Sequence, residues 1–263
     1  MKKSKSIFSN LYIILVFAIM YAPILISMVF SFNSARSLAK FEGFSLKWYQ
    51  ELLADRDIIS AVTVSLTVAV IATAVATVLG TITAIGLSKN RKIVKEWLLT
   101  INNVPIMNPD IVTAIGLMIL FSSMKIERGY FTMLLAHIAF CTPYVITSVY
   151  PKVKNLDPNL ANAAMDLGAT PFTALTKVIV PLIKPGIVAG ILLSFTMSID
   201  DFVISYFVSG SGVKNISYYI YTSRTRQTPK INALSTVVIV VIVAIILLIN
   251  VVPLIKNRKK KEN

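Results

Sequence analysis

Apolar residues run along this chain in long unbroken stretches, without the alternation of a strand or the one-sided period of a surface helix. Leu11–Phe32, Ile58–Ser88, Phe131–Tyr150, Ile187–Val208 and Ile231–Ile255 are such runs, each about 20 residues or longer, the length a helix needs to cross a bilayer core. A sixth stretch, Leu98–Ser123, is interrupted by NNVPIMNPD at residues 102–110. Pro105 and Pro109 exclude one straight helix there, because each lacks an N–H and collides with the carbonyl four residues back. The pattern predicts a short entry element, then a fresh helix from Pro109 capped by Asn108. Asp110 then falls in the first turn, where the positive end of the helix dipole favours a carboxylate. Backbone groups in lipid must be satisfied within each segment. An all-α, polytopic membrane protein follows, with six spans near 11–32, 58–88, 108–123, 131–150, 187–208 and 231–255.

Residues 1–10 form a basic N-terminus, residues 11–255 the transmembrane domain and residues 256–263 a basic tail. The first run is longer than the apolar core of a signal peptide and has no small-residue cleavage site, so it is expected to remain as helix 1. Pro23 is expected to kink it, and Pro151 to end the fourth helix. Ser31–Asp57 is expected as an external loop, in which Trp48 and Tyr49 suit the aromatic belt of a membrane interface. A second reading sets the Trp48 indole face near a cationic substrate.

Composition narrows the class. The chain is 56% hydrophobic and only 14% charged, which excludes an ordinary soluble domain. A formal charge of +14 invites nucleic acid, but the basic residues sit at the ends of apolar runs, the positive-inside pattern of a chain in a lipid bilayer. Sixteen of the 26 Lys and Arg fall on the side that holds both termini, so both ends are expected in the cytoplasm. Cys141, the single cysteine, cannot form an intrachain disulfide and reads as a small core residue. His137, the single histidine, is no metal site and reads as a hydrogen-bonded packing residue rather than a proton relay. No phosphate-cradling G-x-x-x-x-G-K-[ST] occurs. The chain is therefore expected to be non-catalytic, with no metal or cofactor of its own; any ATP is bound elsewhere.

One polar, punctuated segment stands out, residues 157–186, DPNLANAAMDLGATPFTALTKVIVPLIKPG. Asp157 can cap a helix with Pro158 at its first position. Gly168 offers the left-handed residue that ends such a helix. Thr170-Pro171 repeats the start, and Pro181 and Pro185 are expected to close the second piece. Two short helices at a glycine corner are predicted, built to dock on something; the plainer reading is an ordinary capped loop. Ala163-Ala164, three residues, Gly168, nine residues, then Val178-Ile179-Val180-Pro181 resembles the EAA loop of ABC-importer permeases. There the loop forms coupling helices that fit a groove on the ATPase subunit. The resemblance implies ATPase coupling through Asn162, Ala163, Ala164, Asp166, Gly168 and Pro181. Asn162 replaces the family's Glu, which removes a charge that could pair across the interface.

Three acids lie within the apolar runs: Asp110, Asp200 and Asp201. A charged side chain near mid-bilayer costs about 2.5–3.5 kcal/mol on insertion scales, so they call for a reason. One reading is a cation path, with carboxylates for charge pairing and aromatics for cation–π contact. The other is structural: Asp110 starts a helix, and one of the pair bonds to backbone or to Ser198. On one helix Asp200 and Asp201 point about 100° apart, so one can face a cavity while its neighbour meets another helix.

Asn108–Val112, His137–Cys141, Ser198–Phe202, Gly43–Tyr49 and Ile231–Leu234 look like the permease subunits of bacterial spermidine/putrescine ABC importers. The resemblance implies the type I importer permease fold, with six membrane helices and cytoplasmic coupling helices, in a bacterial plasma membrane. It implies a heterodimer with a homologous permease, a pair of ATP-binding subunits that carry ATP and Mg, and an external substrate-binding protein. By the same resemblance Trp48, Asp110 and Asp200 handle polyamine, with Asp201 and Tyr206 beside them. Two alternatives stay open: a permease for another cation such as iron or a different amine, and an ion-coupled secondary transporter that relays through Asp110, His137 and the aspartate pair.

Overall fold

The structure is a computed structural model that describes residues 2–36, 40–223, 229–241 and 243–244, with side chains from Asn10 onward. It divides into two compact units, residues 1–58 with 222–263, and residues 59–221. The described elements are helical apart from one isolated bridge, Asn33 with Phe44.

The first unit holds α1 (Lys2–Phe30), α2 (Lys47–Ala54) and α12 (Pro229–Val241). Pro23 lies inside α1, which runs through it. The segment after α1 is a folded structure tied together by Asn33. Its side chain donates to the Lys40 carbonyl at 2.8 Å and accepts from the Glu42 N–H at 2.9 Å. Trp48 donates its indole N–H to the Asn33 carbonyl at 2.6 Å and is only 2% exposed. The interfacial-belt expectation for Trp48 is therefore corrected: the loop folds over the ring because Asn33 gives the N–H a partner inside. The expected sixth span, 231–255, is described only as far as α12 and residues 243–244; the rest of it and the 256–263 tail lie outside the described residues.

The second unit contains nearly all of α3 (Arg56–Ser88), then α4 (Lys92–Met107), α5 (Asp110–Ser123), α6 (Tyr130–Lys154), α7 (Leu160–Asp166), α8 (Pro171–Ala174), α9 (Val180–Asp200), α10 (Val203–Val208) and α11 (Ile216–Ser223). Among the described residues, four helical stretches are long and apolar enough to cross a membrane: 10–30 of α1, α3, α6 and the run from α8 through α9. The pair α4–α5, folded through 103°, is long and apolar enough to be a fifth when taken as one broken span. Helix α6 runs between α3 and α9. A Cβ on Gly80 of α3 would lie 2.7 Å from the Val145 side chain, and one on Gly190 of α9 3.2 Å from the Val145 Cα. Small residues thus let three backbones approach, which supplies the close packing that holds helices together in lipid. Cys141 is buried in this seam, as a core residue should be, and Ser194 donates its hydroxyl to the Cys141 carbonyl at 3.3 Å.

The local punctuation departs from the expected boundaries at several points. Helix α4 begins at Lys92, inside the expected loop, and is longer than a short entry element. Glu96 and Lys92 face each other one turn apart, and charged pairs at that spacing support a helix. The Asn108 side chain makes no capping bond at α5; Pro109, extended at φ −57°, ψ 134°, holds that place, and Asp110 does fall in the first turn. Pro151 lies inside α6 rather than at its end. One further turn follows it, and Lys152 and Lys154 there complement the negative end of the dipole.

The largest departure concerns the second half of the hairpin. Pro181 and Pro185 close nothing: helix is continuous from Pro171 to Asp200, thirty residues. A π turn at Leu175–Ile179, in which the Val180 N–H reaches the Leu175 carbonyl, shifts the bonding one residue just ahead of Pro181. Such a shift accommodates a proline's missing N–H without breaking the helix. The helix that contains the fifth span therefore starts in the hairpin itself and stops at Asp200, not Val208.

Asp55 joins α3 to α12 in the first unit. Its carboxylate accepts from the Asp57 N–H at 2.9 Å and the Ile58 N–H at 3.3 Å, capping α3, and pairs with the Lys230 ammonium at the start of α12. Partial burial works against the charged form, but the Lys230 ammonium and the Ile58 and Asp57 N–H groups outweigh it and hold the carboxyl below its usual range. A depressed native pKa gives stability that is present above the unfolded pKa and lost as pH falls through the native one. Asp55→Ala is expected to cost about 1–2 kcal/mol, the worth of a good cap. Thermal unfolding of the detergent-purified chain checks this: the gap from wild type should be full at neutral pH and close in acid.

Candidate functional site

Two helix breaks converge on one cavity. The α4–α5 break at Asn108-Pro109 and the α9–α10 break at Asp201-Phe202 both border a cavity of about 180 Å³. Asp110 and Thr113 of α5, Phe140 and Tyr144 of α6, and Met197 and Asp200 of α9 line it. Among the described residues neither Asp110 nor Asp200 has an ion-pair or side-chain hydrogen-bond partner. Both are exposed.

Their electrostatic settings differ. Asp110 sits at the N-terminus of α5, where the dipole offsets its charge. Asp200 is the last residue of α9, at the negative end of its helix, where the same dipole adds to the charge instead. A carboxylate at the negative end of a helix, with aromatic rings in the cavity wall, is an environment that attracts a cation.

Asp201 does something different from its neighbour. Its backbone is extended at φ −62°, ψ 125°, so the expected 100° separation on one helix does not apply; the chain turns and drives the carboxylate inward. There it caps α10, accepting from the Ile204 N–H at 3.1 Å, the Ser205 N–H at 2.8 Å and the Ser205 hydroxyl at 2.7 Å. His137, 1% exposed, lies with Nε2 3.4 Å from the same carboxylate and 3.0 Å from Ser205 Oγ. Its Nδ1 meets Ser198 Oγ at 2.6 Å. Asn215 donates to the Asp201 carbonyl at 2.6 Å and to Ser205 Oγ at 2.8 Å, and accepts from the Tyr218 N–H at 2.8 Å.

The pattern closes. Ser205 Oγ gives its proton to Asp201 and accepts from Asn215, so the bond to His137 assigns the imidazole proton to Nε2. Every polar side-chain atom of Asn215 and Ser205 is used, and α6, α9, α10 and α11 are tied at one point. A network satisfied throughout rigidifies its surroundings. His137 is thus a packing histidine with both nitrogens bonded.

The other expected site residues are scattered. Trp48 is buried in the first unit, as described above. Tyr206, 43% exposed, lies in an aromatic cluster with Phe202, Tyr218 and Tyr221 and does not line the cavity; its ring centre is 5.6 Å from that of Phe202, which does. Tyr144, Phe140 and Thr113 were not singled out by sequence reasoning. Aromatic and hydroxyl residues are common within apolar runs, and nothing in the pattern marks these three.

The hairpin is built as two pieces at a glycine corner, with one change at its start. The Asp157 carboxylate accepts the Asn159 N–H at 2.9 Å in a turn, so α7 begins only at Leu160 and Asp157 does not cap it. Gly168, at φ +89°, closes α7: the Ala169 N–H reaches the Ala164 carbonyl and the Gly168 N–H the Met165 carbonyl, the Schellman arrangement. Thr170 caps the next helix by accepting the Thr173 N–H at 3.2 Å. Asn162, Ala163, Asp166 and Gly168 are exposed, and Ala164 is half-buried. Leu167 and Phe172 are 90% and 73% exposed. Pro181 is exposed, two residues beyond the π segment.

Helices interrupted beside unpaired carboxylates, among helices of membrane-spanning length, are an arrangement that membrane transport proteins use. The chain belongs to the binding-protein-dependent transport system inner membrane components, whose family description matches residues 76–261. It is 40% identical over 224 residues, 85% of each chain, to the spermidine/putrescine transport system permease protein PotC of Escherichia coli (strain K12). Identity is 39% to PotC of Haemophilus influenzae over 89% of this chain and 92% of that one. With the putrescine transport system permease protein PotI of Escherichia coli (strain K12) it is 38%, over 86% and 83%. In fold it is similar to a chain of a bacterial ABC transporter involved in import of the acidic polysaccharide alginate, with a TM-score of 0.70 over 95% of this chain and 96% of that one, at 15% identity.

The two adjacent aspartates should respond oppositely to truncation. Asp201→Ala is expected to destabilise by about 3 kcal/mol or more, the scale for breaking a buried charged network. Asp200→Ala should stay within about 0.5 kcal/mol, as for an exposed side chain without partners. Thermal unfolding of the purified variants side by side is the measurement.

Proposed function

We propose that this chain is one permease half of an ATP-driven polyamine importer of the spermidine/putrescine type. It pairs with a homologous permease, couples through its hairpin to two ATP-binding subunits that hold ATP and Mg, and receives cargo from an external binding protein. It carries out no bond chemistry itself. Both termini and the hairpin lie in the cytoplasm of a bacterial cell, as the distribution of basic residues supports. The observation that carries the reading is the placement of Asp110 and Asp200, unpaired, on one cavity between two helix breaks. An organic polycation supplies the charge that this cavity lacks.

The coupling route follows from continuity. The second helix of the hairpin is the same thirty-residue stretch that ends at Asp200. At 1.5 Å per residue it spans about 45 Å. A displacement imposed by the ATPase pair at Leu167 and Phe172 would travel along it to the cavity, with the π turn at Leu175–Ile179 as the compliant point. The Asp201–His137 network keeps the far end from fraying.

Two experiments test the parts separately. Asp200→Asn should leave the complex assembled and lower the affinity for labelled spermidine uptake by about ten-fold, equivalent to 1.4 kcal/mol; unchanged uptake at equal expression removes Asp200 from the path. Gly168→Pro, placed where the backbone needs a positive φ, should abolish the stimulation of ATP hydrolysis by loaded binding protein while the subunits still copurify. Stimulation that persists would sink the docking role.

A further inference from the structure

A second and larger cavity, about 400 Å³, lies at the opposite end of the second unit. It sits where three membrane-length helices end together: α3 at Ser88, α6 at Lys154, and the α8–α9 run at Pro171. Its walls are apolar, from Ile85, Tyr150, Val153, Met165 and Ile179. Three lysines edge it, Lys89, Lys95 and Lys154, against one acid, Asp157. The Asp157 carboxylate is engaged by the Asn159 N–H, and Lys95 Nζ donates to the Ser88 carbonyl at 3.4 Å. Leu167 and Phe172, the most exposed apolar side chains of the hairpin, do not line this cavity. None of the residues proposed to couple to the ATPase, Asn162, Ala163, Ala164, Asp166, Gly168 and Pro181, lines it either.

We infer that this cavity holds the head group and proximal acyl chain of an anionic phospholipid. The argument is one of place and charge. Lysines that flank apolar spans collect at the membrane–water interface on the cytoplasmic side, so a cleft edged by Lys89, Lys95 and Lys154 opens at head-group level. Basic pockets between helix ends at this level bind anionic head groups, each lysine near the surface adding to the attraction. The combination here is an apolar wall from the last turns of the spans beneath a net positive rim, which matches an amphiphile with a negative head. Neither a neutral lipid nor a free inorganic anion uses both parts. The lipid would wedge the hairpin against the ends of α3 and α6, and so stiffen the base of the α8–α9 lever. The inference needs only the membrane placement of the chain, not its cargo.

Native mass spectrometry of the assembled importer, titrated with phosphatidylglycerol or phosphatidylcholine, tests it. The wild type should retain one phosphatidylglycerol more tightly than any phosphatidylcholine. The triple variant Lys89→Gln, Lys95→Gln, Lys154→Gln should lose at least about ten-fold in that affinity, and the corresponding triple Arg variant should keep it. Ala161→Trp, which fills the cavity without touching charge, should also expel the lipid; the ATP-binding subunits carried in the same spectra report that each variant is folded. Retention that is equal in wild type and in both blocking variants overturns the inference. So does displacement of the lipid by inorganic phosphate at millimolar concentration, which would make this a free-anion site. Loss of the lipid when the ATP-binding subunits join would give the cavity to an acidic segment of that partner, and would overturn it as well.

Discussion

The carboxylate of Asp201 stops α9, starts α10 and anchors both to α6 and α11, and the arrangement of the rest of the second unit follows from it. A charged group in a helical bundle costs several kcal/mol unless its acceptor sites are filled. Here they are filled by two backbone N–H groups, the Ser205 hydroxyl and, at 3.4 Å, the His137 ring. The same bonds take the backbone out of helix at residue 201, and that turn leaves Asp200 at a helix end on the cavity. One aspartate is satisfied so that its neighbour can be left unsatisfied. The structural explanation for a membrane acid is therefore realised in Asp201, and the cation path proposed above rests on its unpaired neighbour.

Continuity of the α8–α9 run gives that arrangement its mechanical meaning. Pro181 and Pro185 are residues that ordinarily break helices, yet the π turn ahead of them preserves the helix and confines the compliance to Leu175–Ile179. A stiff element with one soft turn near its base transmits rotation better than two helices joined by a loop. Gly190 and Gly186 bring this element close against α6, at Val145 and at Ser148 and Lys152.

Much of this was legible in the chain itself. Apolar run length predicted membrane helices, the Pro-x-x-x-Pro spacing predicted the α4–α5 break, and Gly168 with Thr170-Pro171 predicted the corner of the hairpin. These features are local: a proline lacks its N–H, and a glycine tolerates positive φ, whatever surrounds them. The failures were also local in appearance. Asp157 and Asn108 are good capping residues by type, but one spends its carboxylate in a turn and the other is displaced by Pro109. Trp48 reads as an interface residue until Asn33 provides an internal acceptor.

By itself, then, the sequence determined the class, the approximate spans, the polar hairpin and the three acids that need explaining, because each rests on chain length against bilayer thickness or on backbone chemistry within a few residues. Only the tertiary structure decided which of the adjacent acids at the cavity is bonded and which is left unpaired. The partners that make that choice, through His137, are Ser198 and Ser205, sixty-one and sixty-eight positions from it. No periodicity encodes a hydrogen bond across such a distance; it exists because α6 and the α9–α10 break pack side by side.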